Sequence, residues 1–411
     1  MKNKYLSVNN NVFFIFLFQI ILLELFLLGS GRLLEIGSVT GRMVLFTISI
    51  ITSIAIVILI KKIEKNIFIL IVIFSFLLSF ATLLGLINNA SFHMIKMDLK
   101  PLIFFFIILY FGLFIKTQND IDLIVKLIKF SSLLLTIAYF LFLISMYLGF
   151  LDFTQVYTFI HNNSSDIFFR GSYNDNAYFF YKGFLYLNIG FIFYVFSKNK
   201  LNKLISLMIL IAIILTFTRG FLLALFLSFV LFYFIDLKNK KSLFMMIIII
   251  LLAMILSPYI MDIFGNRSES NSIRILQIKQ VLESITPISF LIGHGFGIGV
   301  PIREMHMEIA YLEIFHKQGM LGVVFWLSIL GIIITKYQNI INKNYIVKSF
   351  LVSSFFVYAQ SATNPFLNNP IGMTIVLLTF VVLSRIRHEE IKYKKGKKSY
   401  ASKSSNICCN L

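Results

Sequence analysis

Long apolar runs alternate with short polar loops along most of the chain. A helix needs ~20 apolar residues to cross the hydrocarbon of a bilayer. Runs near that length are expected to span at Val12–Leu28, Met43–Ile60, Ile67–Ile87, Leu99–Ile115, Phe130–Phe150, Ala177–Phe196, Leu204–Thr218, Phe221–Ile235, Phe244–Leu256, Gln318–Thr335, Ser349–Thr363 and Ile371–Leu383. The pattern predicts an all-α polytopic membrane protein of about twelve transmembrane helices, with a large external loop between spans nine and ten. The chain then divides into spans one to five (1–150), an external loop (151–176), spans six to nine (177–257), a large external loop (258–317), spans ten to twelve (318–386) and a basic tail (387–411).

Composition agrees. Of 411 residues, 58% are hydrophobic and 13% charged, roughly half the charged fraction of a soluble domain. The net charge of +19 would suggest nucleic acid in a soluble protein. Here the lysines sit in short alternate loops, where they set topology, and no nucleic-acid partner is expected. Lys2 and Lys4, Lys61, Lys62 and Lys65, Lys116, Lys126 and Lys129, Lys198, Lys200 and Lys203, Lys238, Lys240 and Lys241, Lys336, Lys343 and Lys348, and the Lys392–Lys403 tail mark one face. By the positive-inside rule that face is cytoplasmic, as are both termini. The adjacent Cys408 and Cys409 imply neither a disulfide framework nor a zinc site. Glu24 is the clearest charge inside a predicted span, and a partner on a neighbouring helix would satisfy it.

Arginine breaks the lysine pattern. Arg385 and Arg387 are cytoplasmic, but Arg32, Arg42, Arg170, Arg219, Arg267, Arg274 and Arg303 fall on or near the external side. The flat guanidinium grips phosphate or carboxylate with paired hydrogen bonds. Arg32 and Arg42 read as solvated or headgroup-seeking residues; the other five together point to an anionic ligand such as phosphate or pyrophosphate. Arg219, in Thr216-Phe217-Thr218-Arg219-Gly220, lies in so short a turn that it must sit at the outer interface.

The two long external loops hold the remaining candidate chemistry. In the first, Arg170 and Asn176 flank a Gly-Ser-Tyr-Asn-Asp turn, readable as a ligand-facing mouth or as a plain polar hairpin. In the second, Ser272–Ile285 sets Arg274, Gln277, Gln280 and Ser284 on one face and Ile275, Ile278, Leu282 and Ile285 on another, the pattern of an amphipathic helix on the outer surface. Gly293, Gly295, Gly297 and Gly299 alternate around His294; their amides either cradle an anion or belong to a flexible loop. Arg303-Glu304-Met305-His306-Met307-Glu308 leads into the next span. Glu308 at its mouth is a candidate general base, with a helix-start carboxylate or an Arg303 partner as the alternatives. His294 and His306 come next, and His316 reads as a helix-interface residue. No metal-ligand constellation is apparent, and no cofactor is expected.

Several segments together resemble the bacterial O-antigen polymerase and ligase family. Leu215-Thr216-Phe217-Thr218-Arg219-Gly220 is similar to its LT-x-S-R-G helix start. Ser272-Ile273-Arg274, Pro287 and the alternating glycines resemble its large external loop. Glu308 through Leu312, followed by Gly319 and Gly322, resembles its H-N-x-x-L…G-x-x-G segment, and Arg170-Gly171 with Asn176-Ala177 an earlier pattern. The family's histidine aligns with Glu308, and His306 lies two residues early, a departure that favours polymerase over ligase.

The resemblance implies a metal-independent glycosyltransferase of the bacterial cytoplasmic membrane, joining polyprenyl-diphosphate-linked repeat units on the outer face. It implies Arg219 and Arg274 on the pyrophosphate, Arg170, Arg267 and Arg303 in support, and Glu308 as the base. A flippase, a chain-length regulator and membrane lipid are the partners it implies. A ligase acting on another acceptor and a polysaccharide flippase or transporter remain as alternatives.

Overall fold

The computed structural model describes residues 12–29, 31, 35–36, 39–163, 167–169, 178–235 and 268–408. Helices dominate, in the order α1 (Val12–Leu27), α2 (Gly41–Ile60), α3 (Lys65–Ile87), α4 (Phe92–Leu102), α5 (Ile107–Phe114), α6 (Gln118–Tyr147), α7 (Phe153–Asn163), α8 (Leu185–Val195), α9 (Lys200–Leu215), α10 (Arg219–Ile235), α11 (Ser268–Glu283), α12 (Pro287–Ile292), α13 (Ala310–Asn339), α14 (Tyr345–Gln360) and α15 (Pro370–Cys408). Two small antiparallel hairpins interrupt them, β1 (Glu35–Ile36) with β2 (Val39–Thr40) and β3 (Ile167–Phe169) with β4 (Phe179–Tyr181).

Among the described residues, six helical segments are long and apolar enough to cross a membrane: Gly41–Ile60, Lys65–Ile87, Phe92–Phe114, Gln118–Tyr147, Ala310–Asn339 and Pro370–Lys394. Shorter apolar helices lie at Ile15–Leu27, Lys182–Val195 and Arg219–Ile235. The expected ninth span, Phe244–Leu256, lies outside the described residues. Outward positions such as Ile51, Ile58, Leu59 and Phe76 are more than half exposed. Lipid covers such residues without cost, whereas a soluble protein rarely carries apolar patches of that extent.

Local chemistry moves several boundaries from their expected places. The helix expected at Phe130 begins at Gln118, because Thr117 caps it: Thr117 Oγ1 accepts from the Asp120 amide and Asp120 returns a bond to the Thr117 amide, a capping box. Pro101 has no amide to donate, and there α4 tightens into a 3₁₀ turn over Ile103–Phe106 before α5 continues. The span expected from Ala177 starts later: Phe179–Tyr181 pairs as a strand with Ile167–Phe169, and the helix follows a turn at Lys182–Phe184.

The core lies where α15 passes between its neighbours. Ile371, Met373, Ile375, Val376, Leu377, Leu378, Val382 and Leu383 are fully buried, so over residues 371–383 this helix is buried on every side rather than along one stripe. An aromatic knot of Phe74, Phe105, Phe325 and Trp326 joins α3, the 3₁₀ turn and α13, with Phe74 stacked on Phe325 at 5.2 Å between centroids.

Arg42 departs from its expected solvated place. It is 6% exposed, donates from Nε to both Glu24 oxygens (3.0 and 2.9 Å) and from Nη2 to the Gly29 carbonyl (2.7 Å). Glu24 thus has the interhelical partner that its burial requires. Truncation of one partner strands the other charge, which costs about 3–5 kcal/mol. Glu24→Ala is therefore expected to lower the unfolding temperature of the detergent-solubilised protein clearly, and Glu24→Ala combined with Arg42→Leu to recover part of the loss. An unchanged melting temperature in Glu24→Ala would remove the pair from the account of stability.

Candidate active site

At one end of the bundle, α11 lies across the start of α13. Its polar face turns inward: Gln277 is fully buried and Arg274 is half-buried against Glu308, while Ile275, Ile278 and Leu282 are exposed. The amphipathic helix expected at Ser272–Ile285 is thus present, with its arginine directed into the protein. Arg274 Nε donates to Glu308 Oε2 at 3.0 Å, and Arg303 Nη2 donates to Glu308 Oε1 at 2.8 Å. Gln277 Oε1 accepts from the Glu308 amide (3.1 Å), and Gln280 Oε1 accepts from the Ile302 amide (3.0 Å). One helix therefore fixes both the side chain and the backbone of the Arg303–Glu308 segment. Glu308 and its two arginines are all partly exposed, with side-chain exposures of 27%, 31% and 43% for Glu308, Arg274 and Arg303. The site thus stays open to a ligand.

A second, buried group lies behind this triad. Lys317 Nζ donates to Asp98 Oδ1 (2.7 Å), Glu313 Oε1 (2.7 Å) and the Met305 carbonyl (2.6 Å). Asp98, Glu313 and Lys317 are each at most 5% exposed. Asp98 Oδ2 accepts from the Gly297 amide and Glu313 Oε2 from Asn368 Nδ2, both at 2.7 Å. His306 closes the group from outside, its Nδ1 3.3 Å from Glu313 Oε1 and 3.7 Å from Asp98 Oδ1, with a side chain 45% exposed. Asp98, His306 and Glu313 are spaced as metal ligands could be, all ligand atoms lying within 4.8 Å of one another. The Lys317 ammonium already bonds both carboxylates.

The glycine segment neither cradles an anion nor moves freely, contrary to both expectations. The amides of His294, Gly295 and Phe296 donate to the carbonyls of His316 (2.8 Å), Lys317 (3.0 Å) and Ala81 (2.9 Å), and that of Gly297 to Asp98. The glycines are there for proximity. A Cβ on Gly295 would lie 2.1 Å from the Gly85 nitrogen, and one on Gly293 would lie 2.5 Å from the Gln318 nitrogen. Gly319 breaks α13 (φ 64°, ψ −163°), so the preceding carbonyls at His316 and Lys317 face this loop instead of a helical amide. His294 is half-buried and packs its ring on His316, centroids 4.6 Å apart. Burial lowers its pKa. His316, 3% exposed, lines that interface as expected.

Arg219 is the first residue of α10, preceded by Phe217 in the left-handed region (φ 49°) and by the buried Thr216 and Thr218. The next residue, Gly220, abuts Gln360 and Thr363 in the turn after α14. The same turn accepts the Ala310 amide at the Ser361 carbonyl (3.1 Å). The first turns of α10 and α13 therefore both meet the end of α14 and the turn after it. Arg170, Asn176 and Arg267 lie outside the described residues.

Asp98, Glu313, Lys317 and Asn368 are the site residues that sequence reasoning missed. The available signal was Glu313 and Lys317 four residues apart in a largely apolar run. That spacing places opposite charges side by side on a helix.

The structure is a polytopic helical bundle with two arginines and a carboxylate brought together at one end, and the sequence comparisons give its family. The chain belongs to the O-antigen polymerase and ligase family, whose O-antigen ligase profile matches residues 204–327. It is similar to an O-antigen polymerase of Shigella flexneri, 30% identical over 322 residues, covering 76% of this chain and 79% of that protein. No solved structure matches it. It is a multi-pass membrane protein of polysaccharide biosynthesis with a glycosyltransferase-type activity. The profile match contains Arg219, Arg274, Arg303, Glu308 and Lys317.

Proposed function

We propose that this protein is a polymerase joining oligosaccharide repeat units carried on polyprenyl diphosphate, at the outer face of the bacterial cytoplasmic membrane. The observation that carries the reading is its similarity to an O-antigen polymerase along most of both chains. About twelve spans, with both termini in the cytoplasm, complete the topology. The exposed Ile275, Ile278 and Leu282 on α11 suit a helix lying in the interface, where Arg274 would meet a lipid-borne diphosphate.

In the reaction, an acceptor hydroxyl oxygen forms a bond to the anomeric carbon of the donor. The bond from that carbon to phosphate breaks, and the polyprenyl diphosphate leaves with the electron pair. Arg274 and Arg219 stabilise the charge developing on the leaving group, with Arg303, Arg170, Arg267 and Asn176 as supporting substrate-binding residues. The hydroxyl proton goes to a base. Glu308 is the candidate base that the local sequence offers, but two arginines hold its oxygens. His306 has the better support: a buried carboxylate faces Nδ1 and the ring is 45% exposed. With Nδ1–H directed at Glu313, Nε2 is free to accept the proton. His294 is left as a packing residue. No step in this scheme uses a metal ion.

The reading is tested by the glycan profile of a deletion strain. Loss of long chains with single repeats still attached is the expected result, and restoration by wild type but not by Arg219→Ala or His306→Ala would assign those residues. The ligase reading, which the description of the matching profile favours, predicts polymer accumulating on lipid with none attached. A transporter would leave single lipid-linked units on the inner leaflet. Either result would overturn the polymerase assignment.

A further inference from the structure

Asp98, His306 and Glu313 offer two carboxylates and an imidazole, a donor set that suits a divalent cation, with ligand atoms within 4.8 Å of one another. A metal there would bridge α4, α13 and the Arg303–Glu308 segment. A side chain stands in that place instead. An ammonium has three N–H donors and no acceptor, and all three of those on Lys317 have partners: Asp98 Oδ1, Glu313 Oε1 and the Met305 carbonyl. The remaining carboxylate oxygens accept from the Gly297 amide on Asp98 and from Asn368 Nδ2 on Glu313, with the His306 ring adjoining.

We propose that Lys317 is a tethered cation, filling the position that a divalent metal would take among Asp98, His306 and Glu313, and that it positions the segment bearing Arg303, His306 and Glu308. The positioning follows from its third bond. Met305 lies between Arg303 and Glu308, so the lysine holds that segment by its backbone while α11 holds it from the other side. Asp98 anchors the glycine loop as well, through the Gly297 amide. The cluster therefore ties both stretches of the second long loop to α4 and α13. Lys317 touches no reacting atom. It acts through the residues it places, and only the activity arm of its test rests on the polymerase reading.

The test uses full-length protein in lipid nanodiscs, with Mn²⁺ as the probe and electron paramagnetic resonance as the readout. Wild type is expected to bind no stoichiometric Mn²⁺. Lys317→Met is expected to gain one Mn²⁺ site, absent from Lys317→Met combined with Asp98→Asn. The same variant should show faster hydrogen exchange across 303–308 and about 100-fold less transfer, the scale expected when reacting groups are misplaced by an ångström. Lys317→Arg, which keeps the charge, should bind no Mn²⁺ and retain more transfer than Lys317→Met. A stoichiometric Mn²⁺ site in wild type, lost in Asp98→Asn, would overturn the proposal even if Lys317→Met failed to fold. Full transfer and unchanged exchange in a folded Lys317→Met would overturn the positioning role. A wild-type protein without polymerase activity would refute the functional reading and leave the Mn²⁺ and exchange results to decide this one.

Discussion

Arg274→Ala should reduce repeat-unit transfer by about 10²–10³-fold, the loss that follows removal of one preorganised donor from a developing anion, with protein remaining at normal membrane levels. Arg274 comes from a loop helix and is 31% exposed, so its removal leaves the membrane core untouched. Among the described residues its guanidinium is engaged only through Nε, to Glu308, which leaves its terminal nitrogens for a ligand. Lysine should not restore activity, because an ammonium lacks the planar fork that holds a carboxylate and a second anion together. Glu308→Gln is the informative companion. If Glu308 orients the two arginines and His306 takes the proton, the amide should cost less than Arg274→Ala does. A loss in Glu308→Gln equal to that in Arg274→Ala would return the base to Glu308. Single-turnover transfer in proteoliposomes separates the two outcomes.

Gly295→Ala should leave little folded protein. At this position φ is +91°, and an added Cβ would meet backbone on α3: the Gly85 nitrogen at 2.1 Å and its Cα at 2.6 Å. Backbone on a packed helix cannot swing aside as a side-chain tip can. Strain and overpacking together are expected to exceed about 3 kcal/mol. Gly85→Ala should behave alike, since its Cβ would fall 2.0 Å from the Phe296 carbonyl oxygen. Gly331→Ala is the control: it lies within α13 with nothing near its added Cβ, and alanine favours a helix interior by roughly 0.5–1 kcal/mol. Thermal unfolding followed by size-exclusion fluorescence would check all three. A stable Gly295→Ala would mean that the loop does not pack on α3 as described.

The helices that the sequence made legible are those whose apolar runs need no partner to explain them: α2, α3 and α10 begin or end within a few residues of expectation. Misplaced boundaries trace to short-range chemistry stronger than hydropathy, the Thr117–Asp120 box at α6 and the strand at Phe179–Tyr181. The sequence marks Arg274 because arginine on the face opposite the lysines is anomalous in itself, and the structure sets it 3.0 Å from Glu308. Their pairing with Arg303 was legible only as an option for Glu308. The Asp98–Lys317 contact was not legible, since its partners are 219 positions apart and no local pattern reports which distant charge will arrive. By sequence the alternating glycines read equally as an approach of backbone to a ligand or as a flexible loop. Glycine reports that something comes close, and here that something is the chain's own helix.

The break at Gly319 divides α13 at the place where hydropathy first marks the tenth span, Gln318. The turns from Ala310 to Gln318 are continuous with the span in outline, but the His316 and Lys317 carbonyls accept from the loop and Lys317 Nζ bonds to Asp98 on α4. In exchange and unfolding they are expected to follow the loop. Residues 287–318 should therefore open as one cooperative unit while 320–339 stays closed, with the boundary between cap and membrane helix at the Gly319 break.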